Sequence, residues 1–166
     1  VWVKAVAAAL KPAGATLVPV TANPVDAVWT DRPAPSPAPA IVQRDAVAGQ
    51  SSAEKRAKIG DWLKDRKLDA AVITALDGVA WLFNIRGSDV SRTPVTLAFA
   101  LIHSDGTAQL CIDETKVTAE VRAHLGNAVR IIPRADFSAA LDGLAGKHVA
   151  VDPDHAVAAI IARLEA

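Results

Sequence analysis

The sequence has no methionine and a single cysteine among its 166 residues. A chain without methionine does not start where translation starts, and this one opens inside an uncapped amphipathic helix. The expectation is a piece of a longer protein. One cysteine, Cys111, excludes an internal disulfide and any cysteine-based zinc site, and it suits a reducing, cytoplasmic setting. Neither sign of charge is in excess: 18 basic residues face 18 acidic ones, with a pI near 7.1. That balance argues against nucleic acid or an anionic membrane as a partner, since both demand a basic surplus. No apolar run reaches the roughly 18 residues of a membrane span. Val1 to Leu10 lacks a small-residue cleavage site and runs into Lys11-Pro12, so it does not read as a signal peptide.

Catalytic motifs are missing as well. His103, His124, His148 and His155 fall on different elements, with no HExxH and no histidine pair at helical spacing. Asp152-x-Asp154-His155 is the densest polar cluster, but Asp152 followed by Pro153 reads as a helix cap with proline at the first helical position. No GxGxxG follows a strand, no GxxxxGK[ST] is present, and no GxSxG marks a serine nucleophile. Cys111 stands mid-strand and reads as buried and inert. Residue chemistry alone yields no catalytic site and no metal site in this chain.

What is present divides into parts. Residues 1–32 carry one helix, Val1 to Leu10, stopped by Pro12 and Gly14, and one short strand, Thr16 to Val20, which Pro19 demotes to an edge. That is too little for a domain, and it reads as the end of a preceding one. Residues 33–47 begin with alternating prolines, Pro33 to Pro39, which favour an extended polyproline II spacer; the competing reading is a ligand for a proline-recognising module. Residues 48–166 have a different texture. Ser51-Ser52-Ala53-Glu54 is a capping-box pattern opening a helix to about Lys67. Its apolar face is read as Ala53, Ala57, Ile59, Trp62 and Leu63, and its solvated face as Lys55, Arg56, Lys58, Lys64 and Arg66.

Ala70 to Thr74 is apolar throughout, like a strand buried on both faces, and Leu76 to Phe83 returns to helical spacing. Val95 to His103, Ser104-Asp105-Gly106 and Thr107 to Ile112 form a local hairpin. Asp113 or Thr115 is placed to cap a helix ending at Gly126. A strand at Val129–Ile132, a helix at Phe137–Leu144, a strand at Lys147–Val151 and a helix opened by Asp152-Pro153 complete the order. This is an α/β fold, a mixed β-sheet flanked by helices, with the hairpin supplying the antiparallel part.

The chain is arranged around Ala80 to Asp89. Trp81, Leu82 and Phe83 enter a core, and Asn84, Arg86 and Asp89 follow at once on a loop. Gly87 allows a positive φ or a close backbone approach. From residue types alone this is a helix end tied down by an Asn and an Arg–Asp pair; a loop that carries function is the alternative.

Ordered strings then resemble a known family. Asn23-Pro24-Val25-Asp26-Ala27-Val28-Trp29-Thr30-Asp31-Arg32-Pro33, Ala48 to Lys55, and Ala75 to Val90 with its Trp81-Leu82-Phe83-Asn84-Ile85-Arg86-Gly87-Ser88-Asp89 core are similar to the long, three-domain Xaa-Pro aminopeptidases. Cys111 to Val117 and Val149 to Pro153 fall at that family's later strand-to-helix junctions. The resemblance implies a creatinase/prolidase N-terminal-like fold for residues 48–166, without the C-terminal catalytic domain. It further implies that the whole enzyme uses two divalent metals, manganese, to release the N-terminal residue from peptides with proline second. Its partners would be its own catalytic domain, a second copy in a homodimer, and the peptide. No metal ligand or catalytic residue is carried onto this chain, which alone is expected to be inactive. Asn84, Arg86, Gly87 and Asp89 are the substrate-proximal candidates. Arg86 would offer fork-like donors to a substrate carboxylate or carbonyl, held by Asn84 and Asp89. A free-standing α/β binding module is the other class of function.

Overall fold

The structure, a computed structural model, describes residues 2–20 and 22–166. The chain forms two compact units, residues 1–35 and 36–166.

In the first unit helix α1 (Trp2–Leu10) passes into a 3-10 turn at Lys11–Ala13 and stops at Gly14, whose φ of 67° is left-handed. The strand expected at Thr16 to Val20 does not form. Pro19 lacks an amide donor, and no strand among the described residues pairs with this segment. Asn23-Pro24 opens the short helix α2 (Pro24–Val28), with the Asn23 side chain accepting from Val25 N–H at 3.0 Å. Asp26 pairs with Arg32 at 2.8 Å, and the Arg32 guanidinium lies 5.5 Å from the centre of the Trp29 ring. No described side chain of this unit is buried; Val18, Val20, Val28 and Trp29 all face outward.

The second unit begins inside the segment read as a linker. Ala40 is buried and donates its N–H to Lys116 O, and strand β1 (Ile41–Val42) pairs antiparallel with β3 (Ile85–Arg86). Helix α3 (Asp45–Ala48) follows, then α4 (Ser52–Asp65). The expected capping box is in place: Ser51 Oγ accepts from Glu54 N–H, and Glu54 Oε2 accepts from Ser51 N–H at 2.8 Å. The solvated and buried faces of α4 differ from the sequence reading. Ser52, Lys55, Arg56, Gly60 and Leu63 turn inward, while Ala53, Ala57 and Trp62 are exposed. Gly60 is needed there, because a Cβ would meet Ser104 O at 2.8 Å and Gly106 N at 3.1 Å.

The main sheet has five strands in the order β6-β5-β4-β2-β7. They are β2 (Ala70–Ile73), β4 (Phe99–His103), β5 (Ala108–Ile112), β6 (Val129–Pro133) and β7 (Val149–Val151). β4 runs antiparallel to β2 and β5, whereas β2–β7 and β5–β6 are parallel, so the sheet is mixed as expected. Alternate side chains go to opposite faces. Ala100, Ile102, Ala108, Leu110 and Ile112 meet Val79, Leu82 and Phe83 of α5 (Leu76–Phe83) and Val121 and Leu125 of α6 (Ala119–Leu125). Ala70, Val72, Leu101 and Cys111 meet Phe137 and Leu141 of α7 (Phe137–Asp142), Leu144, and Ile160 of α8 (Ala158–Leu164).

Three boundaries depart from expectation. Val95 to Ala98 lie outside β4, because Asp89 draws the Leu97 amide to its carboxylate. Asp113 caps only a 3-10 turn at Glu114–Lys116, and Thr118 caps α6. Asp152 does not open the last helix: its Oδ1 accepts from Asp154 N–H and its Oδ2 meets His155 Nδ1 at 2.6 Å in an exposed turn. That local bonding closes a turn, and α8 starts at Ala158. Asp142 and Arg163 join α7 to α8 through two bonds of 2.6 and 2.7 Å.

Candidate functional site

Helix α5 ends at Asn84, whose φ of 49° and ψ of 44° are left-handed. Asparagine tolerates this better than most residues. The Asn84 side chain is fully buried. Its Oδ1 accepts from Lys55 Nζ at 2.5 Å, and its Nδ2 donates to Asp45 Oδ1 at 2.9 Å and Gln50 O at 2.8 Å. Its backbone carbonyl accepts from Gln43 N–H at 2.8 Å. One residue therefore fastens α3, the loop before α4, α4 itself and the start of the second unit.

Lys55 is 2% exposed. Its ammonium also donates to Trp81 O at 2.9 Å and sits 4.7 Å from the centre of the Trp81 ring, which is 48% exposed. Burial, and next the charge of Arg86, hold the Lys55 amine below the ordinary lysine range, with the Asp45 carboxylate opposing them.

Arg86 is half-buried, and its Nη1 donates to Ala80 O and Ile85 O, both at 2.9 Å. The guanidinium thus covers the carbonyl end of α5, where a cation is favoured. The expectation that Asn84 and Asp89 hold Arg86 is corrected here. Asn84 is committed to Lys55, Asp45 and Gln50, and Asp89 reaches a different set of residues.

Asp89 and Lys116 form a buried ion pair at 2.5 Å, with side chains 1% and 4% exposed. The carboxylate also accepts from Leu97 N–H at 2.8 Å and Thr96 Oγ at 3.0 Å. Burial pushes this carboxyl upward, but the bonds from Lys116, Leu97 and Thr96 together with the Lys116 charge outweigh it. The group sits below its ordinary range. Gly87 has its second expected role, close approach: a Cβ there would stand 2.9 Å from Thr96 Cβ and Val95 O.

The stretch from Trp81 to Asp89 is therefore a rigid corner with inward and outward sides. Asn84, Ile85 and the Asp89 carboxylate are buried; Trp81 and part of Arg86 lie outside. Lys55 and Lys116 complete it, and neither was singled out from sequence. Lys55 had a readable signal, since it stands four residues before Ile59 and eight before Leu63. Lys116 had none, because its partner is 27 residues away.

The other candidate groups are scattered. His124 Nε2 lies 2.9 Å from Phe83 O, so the ring donates there and ties α6 to the end of α5. His148 is exposed. Cys111 is buried, and loss of hydration, with Asp136 adding to it, pushes its thiol up to about 12. Among the described residues, no three of His, Cys, Asp and Glu gather as a metal site requires. No described helix is long and apolar enough to cross a membrane.

Comparison with known proteins agrees with this architecture. A family model described as the Creatinase/Prolidase N-terminal domain matches residues 31–166. A probable Xaa-Pro aminopeptidase P of Aspergillus clavatus is 45% identical over 131 residues, covering 78% of this chain and 20% of the relative. One of Neosartorya fischeri is 46% identical over 125 residues, covering 75% and 19%. Among solved structures, X-prolyl aminopeptidase from Caenorhabditis elegans, described as a cytosolic enzyme with a di-nuclear active site, superposes with a TM-score of 0.79 at 33% identity, covering 84% of this chain and 23% of that one. The N-terminal domain of a putative metallopeptidase from Corynebacterium diphtheriae shares the fold, with a TM-score of 0.51 at 18% identity and coverage of 69% and 86%. The chain spans about a fifth of the curated relatives it matches. With the match running from residue 31 to residue 166, this chain belongs to the creatinase/prolidase N-terminal domain family.

Proposed function

We propose that this chain is a non-catalytic N-terminal and middle part of a metal-dependent Xaa-Pro aminopeptidase. It would shape substrate access and subunit assembly while another domain performs hydrolysis. The carrying observation is the division of labour in the 81–89 corner. Asn84 and Asp89 are spent inward, and Arg86 is the motif cation that keeps part of its surface outside. A guanidinium fixed by Ala80 O and Ile85 O can meet a carboxylate or carbonyl with little further ordering.

Under this reading the whole protein is a cytosolic homodimer acting on peptides with proline second. Its two divalent metals, manganese, would belong to its catalytic domain, a reading supported by the di-nuclear active site of the Caenorhabditis elegans enzyme. The first unit is the end of a preceding domain, a view supported by its outward-facing Val18, Val20, Val28 and Trp29. The test is Arg86→Ala in the full-length enzyme. The expected result is a fall in kcat/KM for Arg-Pro-Pro of about tenfold or more, equivalent to roughly 1.4 kcal/mol of lost transition-state stabilisation, with little change in Tm. Unchanged kinetics with a large fall in Tm would make Arg86 a structural tie and overturn its proposed role.

A further inference from the structure

Trp81 is 48% exposed, yet its ring is held. It projects from the last turn of α5 between buried Ala80 and Leu82, and the Lys55 ammonium lies 4.7 Å from its centre. Lys55 is 2% exposed, so this cation sits on the protein side of the indole and leaves the opposite face to solvent. Trp62 has the reverse arrangement: its cation, Arg66 at 4.4 Å, is itself exposed and shields that ring from outside. Trp81 is an ordered aromatic plate with one open face, and ordering it costs little because the side chain has only two rotatable angles.

Arg86 stands beside the plate. Its Nη1 donates to Ala80 O, the carbonyl of the peptide unit leading into Trp81, while Lys55 Nζ donates to Trp81 O on the residue's other side. Nε and Nη2 of Arg86 form no hydrogen bond among the described residues, and no described carboxylate pairs with it. The acids of the corner are engaged elsewhere, Asp45 with Asn84 and Asp89 with Lys116. The plate is edged by positive charge, which repels a cationic ligand and favours a carboxylate or carbonyl oxygen. An apolar ring for the indole and an oxygen for the guanidinium must therefore come from neighbouring atoms of one ligand. A proline residue supplies both through a single Cα, and its rigid ring packs on aromatic side chains at low entropic cost.

We propose that Trp81 and Arg86 form one subsite for a proline residue of the peptide. The pyrrolidine ring lies on the open indole face, and the carboxylate, or the carbonyl of a longer peptide, meets Arg86. This rests on the proposed role of Arg86 and adds which residue is met; Trp81 is the specificity-determining side chain.

The experiment has two arms. The 166-residue chain is titrated with N-acetylproline and with N-acetylglycine, following the Trp81 Nε1–H and Arg86 Nε–H signals by NMR. Saturable shifts at both are expected with acetylproline, with binding weakened about fivefold or more for acetylglycine and in Trp81→Leu. The full-length enzyme is then assayed on Arg-Pro-Pro and Arg-Pro-Gly. Trp81→Leu raises KM for Arg-Pro-Pro about fivefold to tenfold at unchanged kcat and leaves Arg-Pro-Gly within about twofold. Trp81→Phe keeps an aromatic face and restores the selectivity; if Trp81→Leu does not fold, Trp81→Phe and the wild-type signals decide. Loss of selectivity between the two substrates reports on Trp81, whereas a fall on both in Arg86→Ala reports on Arg86, so the two readings fail separately. Equal effects of Trp81→Leu on both substrates, no effect on either, or no saturable shift at Trp81 overturns the proposal. A fall in Tm of the full-length enzyme with selectivity unchanged would assign the ring to a contact between domains and overturns it as well.

Discussion

Lys55 Nζ and Asn84 Oδ1 meet at 2.5 Å in a fully buried contact between the start of α4 and the end of α5. The amide that accepts the ammonium also sits on a left-handed backbone, so two demands converge on one side chain. Asn84→Ala removes one of the two oxygens that accept from the ammonium, Trp81 O being the other, and strains the backbone, so about 2–3 kcal/mol of stability should be lost. Asn84→Gly relieves the backbone but not the ammonium, and recovers about 1 kcal/mol of that loss. Urea unfolding of the three proteins measures the difference; equal stabilities would show that Lys55 finds another acceptor.

The Asp89–Lys116 pair predicts a specific acid sensitivity. The folded Asp89 carboxyl lies below its unfolded value, so its contribution is complete above about pH 4, the unfolded pKa. It is lost as the pH falls through the lower folded value. Asp89→Asn should cost about 3–5 kcal/mol at neutral pH and flatten the acid limb of the stability curve. A wild-type-like acid limb in the variant would remove Asp89 as its cause.

Gly87→Ala tests close packing. The added methyl meets Thr96 Cβ and Val95 O, one of them backbone, so the loop must shift. A loss of about 1–3 kcal/mol is expected, read by thermal denaturation. The same substitution at Gly146, where nothing lies within 4 Å but φ is +73°, costs only about 1–2 kcal/mol through strain.

Cys111 should resist thiol reagents in the folded chain. Its pKa near 12 leaves a negligible thiolate fraction at pH 8. Labelling by Ellman's reagent should follow the unfolding curve in urea. Stoichiometric labelling of the native chain would contradict its burial.

The sheet was legible because its signals are local. Apolar alternation in Ala108 to Ile112, the Ser104-Asp105-Gly106 turn and the Ser51–Glu54 box each lie within a few residues. The corner was legible only in part. Asn84, Arg86, Gly87 and Asp89 stand out by type, but their partners lie far along the chain: Lys55 at 29 residues from Asn84, Lys116 at 27 from Asp89. Charge also misled the reading of α4. The charge of Lys55 and Arg56 points to solvent, although their spacing to Ile59 and Leu63 puts them on the inner face. Helical period outweighs residue type when a buried acceptor such as Asn84 Oδ1 or Gly106 O awaits the cation.

The order β6-β5-β4-β2-β7 has a consequence for synthesis. β2 is made early, yet its second neighbour, β7, emerges from the ribosome 79 residues later, as the pairing of Ala70 with Val149 shows. Until then the flank of Ala70-Ala71-Val72-Ile73 is a bare apolar edge, the kind that recruits other chains. The latch that seals it is small: Asp69 N–H donates to His148 O at 2.8 Å, and Asp69 Oδ2 accepts from His148 N–H at 2.8 Å. Nascent chains halted before Val149 would therefore be the sticky ones, and their release from chaperones should coincide with the arrival of β7.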